Sequence, residues 1–442
     1  MAQSIYSALR AEMQNYFNRG LTLPIAARKA ALLRLKSALQ NNEKAFYNAV
    51  KKDFGRCAFD SWSCEFYMIQ EELALAIRSL AEWSAMRPVD VGIINAPAQA
   101  IIRPEPLGTV LIFSPWNYPA LLALAPLIGA VGAGNCAVLK PSSSTPHTSA
   151  LLQRVVRAAF DPRHVTVLVG DHAISDVLLN ERFDLIFFTG SPVVGRHVMQ
   201  AAAANLTPVI LELGGKSPCI IDETATLPQA ARRIAWGKFL NAGQTCVAPD
   251  YLLVQKSVAP RLVSELKHSI KKLYYPGGKL TAEWPCIITP QHTERLASLL
   301  KNERIAFGGG FDIAKRLFEP TLLFPVSPKA PCMQQELFGP VLPILVYDSL
   351  EEVIGLIRKG AKPLALYHFS TDKKAIARVL SQTSAGGGCV NDVIMHVSSP
   401  RLPFGGVGMS GMGRYHGRAS FDAFSNPRSV LIKSPGFELP LR

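Results

Sequence analysis

The cysteines of this chain lack the pairing that a zinc site or a disulfide framework requires. Eight cysteines occur in 442 residues, and none forms a C-x-x-C pair or a spacing with histidine that suits zinc. We therefore expect reduced thiols, no bound metal and a cytoplasmic location. The N-terminal segment, residues 1–17, also lacks the apolar core of a signal peptide and contains Glu12, so export is not expected.

Uninterrupted apolar runs and clusters of basic residues are also scarce. Residues 118–139 are apolar over a length that could cross a bilayer, but two prolines and three glycines interrupt them. This favours a buried core unit over an integral membrane segment. The net charge is +14, yet the basic residues are dispersed or form doublets that never grow into a run. Because binding to phosphates needs a clustered basic patch, we expect no nucleic-acid partner.

The composition is that of an ordinary soluble protein, with 48% hydrophobic and 18% charged residues. A chain of this length predicts about two or three domains. Apolar residues recur at three- and four-residue spacing in 23–52 and 64–86, which predicts an opening layer of amphipathic helices. Residues 87–97 are rich in proline, glycine and asparagine and predict a connection, and 98–103 predicts a short strand.

From Gly108 onward, short β-branched apolar runs alternate with helical segments. The predicted strands are 109–113, 137–140, 165–169, 185–188 and 209–213, with helices between them near 119–132, 147–160, 173–180 and 191–205. Such alternation predicts right-handed βαβ crossovers and a doubly wound parallel sheet, the layout of many nucleotide-binding domains. A second α/β unit is predicted from Gly214 to Val390.

Several polar residues fall at the carboxyl ends of these strands, where such sheets bind ligands. Thr189, Gly190 and Ser191 end a strand and open a helix whose free N–H groups suit a pyrophosphate, although a plain strand–helix turn explains the same residues. Lys140 ends the second strand, where its ammonium can meet a ribose or a phosphate or simply be solvated. Asn117 follows the first strand, and its amide can donate to an oxyanion or cap the next helix.

A cysteine and a glutamate supply the groups that covalent catalysis on a carbonyl needs. Cys246 lies among small polar and turn-forming residues in NAGQTCVAPD, and Glu212 ends the apolar run of LELGGKSP. A thiol is a soft nucleophile, and a carboxylate can activate the water that releases the acyl group. Taken alone, a single cysteine is more often an inert buried side chain, and a glutamate after a strand is more often solvated.

Seven motifs follow one another between residues 23 and 433: FSPWNYP, LKPS, FTGS, LELGGKSP, GQTCVAPD, QELFGPVLP and PFGGVGMSGMGRYHG. In this order and at these separations they resemble the aldehyde dehydrogenase superfamily. The C-terminal segment through SFDAFSNPRSVL is similar to its class 3 branch, which handles fatty and aromatic aldehydes. Any one motif is a weak signal, whereas the ordered set with its nucleophile is a strong one.

The resemblance implies roles for the candidate residues. Cys246 is implied as the nucleophile, Glu212 as the base and Asn117 as the oxyanion donor. Lys140 and Glu336 are implied as ligands of the cofactor ribose, and Phe338 packs near the nicotinamide. The other predicted cofactor-binding residues are Trp116, Ser142, Ser143, Thr189, Gly190, Ser191 and Gly195.

The resemblance also implies a division of the α/β chain into three units. The NAD(P)-binding domain with its helical layer covers 1–96 and 107–213, and the catalytic domain covers 214–412. A small β element covers 97–106 and 413–442. In it, Ala98–Pro106 and Ser429–Lys433 form a protruding sheet that pairs two subunits into a homodimer.

Three positions depart from the pattern of the family. Ser143 follows LKPS where many NAD-preferring relatives carry glutamate, and a neutral hydroxyl does not repel a 2′-phosphate, so NADP is expected as well as NAD. Gln335 stands where a glutamate often precedes the ribose-binding Glu336, which is a minor change. Pro285 and Cys286 replace an expected Gly-Arg pair, which puts the local geometry in doubt.

The predicted reaction is the oxidation of an aldehyde, medium- or long-chain aliphatic or aromatic, to a carboxylic acid. NAD or NADP is the expected cofactor, and the expected intermediates are a thiohemiacetal and a thioester on Cys246. Three alternatives stay open at this point. A CoA-acylating dehydrogenase shares the first half of the mechanism, a thioesterase or esterase could use Cys246 and Glu212 without a cofactor, and a non-catalytic binding protein could keep the same fold.

Overall fold

The computed structural model of the chain describes residues 5–436, so both ends of the predicted domain ranges lie outside the described residues. The chain opens with five helices: α1 (Ile5–Asn18), α2 (Ile25–Gln40), α3 (Glu43–Phe54), α4 (Ala58–Ser61) and α5 (Tyr67–Trp83). A π-helical turn, Trp62–Phe66, connects α4 to α5. The predicted helical layer is therefore present. The sequence pattern missed α1, of which only Met13 is fully buried.

A small sheet begins after α5. Strand β1 (Arg87–Val89) pairs antiparallel with β2 (Ala98–Pro106). The prediction of a plain connection over 87–97 was wrong for β1, and β2 extends beyond the predicted 98–103. All three residues of β1 are exposed, so the sequence has no alternation of buried and exposed residues there to signal a strand.

The first large sheet has the predicted doubly wound form. Its elements are β3 (Thr109–Phe113), α6 (Leu121–Ala133), β4 (Cys136–Lys140), α7 (Pro146–Ala159), β5 (Val165–Val167), α8 (His172–Leu179), β6 (Leu185–Gly190), α9 (Pro192–Ala203) and β7 (Val209–Leu213). The strands pair in parallel in the order β7-β6-β3-β4-β5. The carboxyl ends of β3, β4, β6 and β7 therefore meet at one edge.

Helix α6 accounts for the long apolar run of the sequence. Every one of its residues is buried, because the helix is covered on all sides by the sheet and by neighbouring helices. The interpretation of 118–139 as a core unit is confirmed. Within residues 5–436, no helix combines the length and the apolarity that a membrane span requires.

The second large sheet is also mainly parallel, in the order β10-β13-β14-β9-β8-β15-β16, and only β10 is antiparallel to its neighbour. Its chain segment contains β8 (Pro218–Ile221), α10 (Leu227–Phe239), β9 (Tyr251–Gln255), α11 (Ala259–Tyr274), α12 (Pro290–Ser298), β10 (Ile305–Phe307), β11 (Phe311–Asp312), β12 (Leu317–Phe318), β13 (Thr321–Leu323), β14 (Val341–Tyr347), α13 (Leu350–Lys359), β15 (Ala365–Phe369), α14 (Lys373–Gln382) and β16 (Gly387–Val390). Strand β16 forms one edge of this sheet.

The last segment of the described chain returns to the first sheet before it reaches the small one. Strand β17 (Gly411–Met412) pairs antiparallel with β7, and α15 (Gly417–Ala423) packs against α5 and α6. Strand β18 (Ser425–Lys433) then pairs with β2 along its whole length and completes a sheet of order β1-β2-β18. The predicted α/β class is confirmed, whereas the domain boundaries stay a prediction.

Candidate active site

A cavity of about 240 Å³ lies at the carboxyl edge of the first sheet. Its wall includes Asn117 from the loop after β3, Glu212 from β7 and Cys246 from the loop after α10. The same wall contains six of the predicted cofactor-binding residues, namely Trp116, Thr189, Gly190, Ser191, Glu336 and Phe338. The three predicted catalytic residues therefore share one cavity, and the thiol of Cys246 is not sealed in a core.

A tight left-handed turn carries the chain from α10 to Cys246. Asn241 has φ +52°, Ala242 has φ +50° and Gly243 has φ +73°, a run of left-handed residues that costs conformational energy at the two non-glycine positions. Gly243 is required by space as well, since a Cβ there would lie 2.3 Å from the carbonyl oxygen of Gly339. The Gln244 side chain braces the turn by donating to the carbonyl of Asn241 at 3.0 Å.

The amide of Asn117 is fixed next to this turn. Asn117 is 3% exposed, and its Nδ2 donates to the carbonyl oxygen of Gln244 at 3.1 Å. In return, Asn241 Nδ2 donates to the carbonyl oxygen of Asn117 at 3.0 Å. Because an amide NH₂ has two hydrogens, one donor of Asn117 remains for a ligand in the cavity.

The surroundings of Cys246 favour the neutral thiol. Burial raises the pKa of Cys246 to about 12, and the negative charges of Glu336 and Glu212 act in the same direction. An ordinary cysteine has a pKa of about 8.5. Almost all of the thiol is therefore neutral at neutral pH until a ligand or a positive charge changes its surroundings.

The carboxyl group of Glu212 is almost completely buried. It is 2% exposed, and its charged form is stabilised by the backbone N–H of Gly406 and the positive charge of Arg414. Burial raises the pKa of Glu212 well above its ordinary value, although the positive charge of Arg414 opposes the change. A carboxylate with a raised pKa is a stronger proton acceptor, which suits a general base for water.

The carboxyl group of Glu336 lies directly against Gly214 in the cavity wall. Burial raises the pKa of Glu336 to about 8, and the charge of Asp250 adds to the increase. A Cβ on Gly214 would lie 2.0 Å from Glu336 Oε2, so the carboxylate occupies the space that any other residue at 214 would fill. Phe338 lies two residues further on and makes an edge contact with Trp116, with ring centroids 5.4 Å apart.

The edge of the sheet has polar groups that fit a dinucleotide. Thr189 Oγ1 is buried at the cavity without a hydrogen-bond partner among residues 5–436. Helix α9 begins directly after Ser191, whose Oγ accepts from the N–H of Val194 at 3.4 Å. The N-terminus of α9 therefore lies beside the cavity, where its dipole suits a pyrophosphate.

Four predicted cofactor residues lie outside the cavity wall. Lys140 is buried at the end of β4, and its ammonium donates to the carbonyls of Pro141 and Gly170, at 3.1 and 2.8 Å, which leaves it one further hydrogen. Ser142 is half-buried and Ser143 is exposed on the loop that follows. Gly195 packs α9 against β7, because a Cβ there would meet Leu213 at 2.6 Å.

Sequence reasoning missed several residues of the cavity wall: Leu122, His292, Arg295, Phe404 and Tyr415. They come from distant segments, and no local pattern marks them as site residues. Phe404 and Tyr415 belong to the PFGGVGMSGMGRYHG motif, so this motif was the one available signal. Arg295 donates to the carbonyls of Glu336, at 3.4 Å, and Leu337, and thereby fixes the segment that carries Glu336.

A thiol, an amide and a buried carboxyl surround one cavity at the edge where parallel sheets of this kind bind nucleotides, an arrangement that suits a nucleotide-dependent oxidoreductase. Comparison with known proteins gives the family. The aldehyde dehydrogenase family model matches residues 3–430, and the chain belongs to this family. It is an NAD(P)-dependent aldehyde dehydrogenase that oxidises an aldehyde to the carboxylic acid.

The relatives cover nearly the whole chain. It is 43% identical over 425 residues to the 4,4'-diaponeurosporen-aldehyde dehydrogenase of Staphylococcus aureus, across 96% of this chain and 93% of the relative. It is 44% identical over 418 residues to the dimeric NADP-preferring aldehyde dehydrogenase of Rattus norvegicus, across 95% and 92%. The solved substrate-bound state of Staphylococcus aureus AldH superposes with a TM-score of 0.96 at 42% identity, over 99% of this chain and 96% of that one. The resemblance drawn from the seven motifs is confirmed.

Proposed function

We propose that this enzyme oxidises apolar aldehydes, either aliphatic with a medium or long chain or aromatic, and that Cys246, Glu212 and Asn117 carry the reaction. The observation that supports these roles is the convergence of the three side chains on one cavity. The apolar character of the substrate is supported by the other side chains of the wall, which include Leu122 and Phe404.

The first half of the reaction forms a covalent bond to the enzyme. Cys246 loses its proton to water, and its sulfur attacks the aldehyde carbon, so that a thiohemiacetal oxyanion replaces the carbonyl. The free hydrogen of the Asn117 amide and the backbone N–H of Cys246 donate to this oxyanion. In transition states of this kind, one such donor contributes about 3–4 kcal/mol.

The second half returns the enzyme to its starting state. Bound NAD(P)⁺ would supply the hydride acceptor, and loss of a hydride would leave the substrate carbon as a thioester on Cys246. Glu212 then takes a proton from a water molecule that attacks the thioester carbon. The bond from carbon to sulfur breaks and the carboxylic acid leaves. The proton held by Glu212 then returns to the thiolate of Cys246, which restores the thiol and the carboxylate.

The dinucleotide itself is held by residues at the same sheet edge. Lys140 and Glu336 would bind ribose hydroxyls, and Thr189 to Ser191 would receive the pyrophosphate at the start of α9. Trp116 and Phe338 would lie near the nicotinamide. The exposed, uncharged Ser143 supports acceptance of a 2′-phosphate, so both NAD and NADP serve as cofactors.

Two variants test the catalytic roles. Cys246→Ala should abolish aldehyde-dependent NADH formation. Glu212→Gln should still give a rapid burst of NADH of one equivalent per site, followed by slow steady-state turnover, because the thioester forms but is not hydrolysed. Stopped-flow absorbance measures both phases. Full activity of Cys246→Ala, or unchanged steady-state turnover of Glu212→Gln, would refute the corresponding role.

A series of aldehydes tests the substrate class. From butanal to dodecanal, kcat/KM should rise by about fourfold for each buried methylene, since each contributes about 0.8 kcal/mol, until the cavity is full. The series is run in parallel with NAD⁺ and NADP⁺, and both should support turnover. A preference for short or charged aldehydes contradicts the proposed class, and consumption of added free CoA contradicts water as the acyl acceptor.

We propose further that the enzyme is a cytoplasmic homodimer. The location is supported by the eight cysteines, which are all free thiols. The dimer is supported by the sheet β1-β2-β18, in which β1 and β18 have unpaired edges and are mostly exposed.

A further inference from the structure

A fully buried ion pair lies directly beneath the loop that carries Asn117. Arg56 follows α3, and Glu65 belongs to the π-helical turn between α4 and α5; both side chains are 0% exposed. Neither residue lines the cavity. A buried charge pair of this kind is a poor source of stability in comparison with an apolar pair, so its contacts with the site need an explanation.

The planar guanidinium of Arg56 donates hydrogen bonds to three acceptors. Nη1 donates to the carbonyl oxygen of Asn117 at 3.2 Å, Nη2 donates to Glu65 Oε1, and Nε donates to Ser61 Oγ at 3.4 Å. The group also lies over the ring of Tyr118, 5.2 Å from its centroid. Such a fixed fork holds the backbone at Asn117 in one orientation.

Glu65 contacts the same loop at its C-terminal end, where α6 begins. Its Oε2 accepts from the backbone N–H groups of Ala120, at 2.8 Å, and Leu121, at 3.0 Å. The first N–H groups of a helix have no acceptor within the helix, and no side chain of the residue before α6 caps them, so Glu65 takes that place. The ion pair therefore holds the chain from the carbonyl group of Asn117 to the first turn of α6.

We infer that Arg56 and Glu65 are positioning residues for aldehyde oxidation, because their contacts keep the Asn117 amide at the cavity wall beside Cys246. The inference rests on the proposed function, since it requires Asn117 to be the oxyanion donor. Oxyanion donors act only at the correct distance, and a displacement of about 1 Å at a reacting centre can cost about 100-fold in rate.

The expected effect is on the chemistry and not on cofactor binding. In Arg56→Lys, a single ammonium replaces the planar fork and cannot satisfy the same three acceptors, so kcat/KM for the aldehyde should fall by about 10- to 100-fold. The Kd for NAD⁺ and the rate at which iodoacetamide alkylates Cys246 should stay within about twofold, because both depend on groups that Arg56 does not contact.

A double-mutant cycle separates positioning from general damage. Asn117→Ala should lower kcat/KM by about 100- to 1,000-fold. In that background, Arg56→Lys should cost less than about twofold more, because the group it positions is gone. Asp53→Asn is the matched control. Asp53 is also buried, but it accepts from the backbone N–H groups of His147 and Thr148 at the start of α7. The kcat/KM of this variant should therefore be close to that of the wild type.

Two results would overturn the inference, and they are distinguishable. If Arg56→Lys costs the same factor with and without Asn117, the ion pair acts elsewhere, while the proposed function stands. If Asn117→Ala keeps full activity, the oxyanion role is wrong and the inference is lost with it. Should Arg56→Lys fail to fold, Glu65→Gln replaces it in the same cycle, because glutamine retains an acceptor for the N–H groups of Ala120 and Leu121. Thermal unfolding checks that each variant is folded.

Discussion

At the scale of single residues, the state of the Cys246 thiol depends on which nearby carboxyl groups are ionised. Burial holds its pKa at about 12, and the charges of Glu336 and Glu212 contribute to that value. Glu336 itself has a pKa of about 8, raised by burial, so its charge appears in the range where the enzyme is assayed. Its ionisation therefore makes the thiol harder to deprotonate as the pH increases.

This coupling predicts a pH-dependent gain of thiol reactivity in Glu336→Gln. Below the pKa of Glu336 the carboxyl is neutral, and the variant and the wild type should react alike with iodoacetamide in the absence of cofactor. Above it, only the wild type acquires the opposing negative charge. At about pH 9 the variant should therefore react about 3- to 10-fold faster, which corresponds to a thiol pKa lower by about half a unit to one unit.

The measurement is the second-order alkylation rate across the pH range, followed by mass spectrometry of the peptide that contains Cys246. Glu72→Gln is the matched control, because Glu72 is another buried carboxyl, with a pKa that burial raises to about 7. Its alkylation profile should follow that of the wild type. A Glu336→Gln profile parallel to the wild type at every pH contradicts the coupling.

At the scale of elements, the segment 332–338 is held in place by side chains from the loops after β7 and before β9. Lys216 donates to Asp250 Oδ2 at 2.5 Å and to the carbonyls of Cys332 and Gln335, at 2.8 and 3.1 Å. Asp250 Oδ1 accepts from the N–H of Leu337 at 2.9 Å. The position of Glu336 is therefore set by hydrogen bonds from two other segments.

Gly214→Ala should displace Glu336 and weaken cofactor binding. The added Cβ would lie 2.0 Å from Glu336 Oε2, and because the segment behind Glu336 is fixed, the carboxylate must rotate out of the cavity. The KM for NAD⁺ should rise by about 10-fold, which corresponds to the loss of a hydrogen bond to a charged group. Steady-state kinetics with NAD⁺ and NADP⁺ measure the change.

The control for this prediction is Gly355→Ala. Gly355 lies inside α13, where a Cβ meets nothing within 4 Å. Alanine should leave the KM unchanged and stabilise the helix by about 0.5–1 kcal/mol. If Gly214→Ala binds NAD⁺ as well as Gly355→Ala does, Glu336 is not a cofactor ligand.

The elements also differ in how well the sequence predicts them. Strands β3 and β4 of the first sheet are buried along their whole length, so each gives a short apolar run that predicts a strand without a structure. Strand β1 is exposed and α1 buries only one residue completely, so neither presents a buried face of that kind. The sequence pattern therefore indicates which residues are buried, and it predicts a helix or a strand only where that element has a buried face.

The same physical limit applies to the site. Cys246, Glu212 and Asn117 could be proposed from local context because they end strands or lie in a turn. Glu336 was proposed only from the family resemblance. Neither local context nor the family resemblance pointed to Arg56. Its importance depends on a contact with the carbonyl of Asn117, 61 residues away in the chain, and no local pattern encodes such a contact.

At the scale of the whole molecule, the small sheet β1-β2-β18 exposes unpaired strand edges and apolar side chains. Strand β18 leaves Leu431 47% exposed and Ile432 50% exposed, and the loop between β1 and β2 exposes Ile93 and Ile94 even more. In the second large sheet, β16 is an edge strand. Exposed strand edges and exposed apolar side chains of this kind are usually covered by a binding partner. A second copy of the chain offers a matching strand edge and matching apolar side chains.

We expect Ile432→Lys to weaken the proposed dimer. The wild type should elute with twice the chain mass of 48.1 kDa in size-exclusion chromatography with light scattering. Burying an isoleucine contributes about 1.5–3 kcal/mol, so its replacement by a charged residue on both copies should raise the dimer dissociation constant by more than about 10-fold. Leu206→Lys is the control, because Leu206 is 91% exposed but follows α9, at the first large sheet, and should leave the mass unchanged. A wild type that is monomeric at every concentration, or an Ile432→Lys protein as dimeric as the control, contradicts assembly through this sheet.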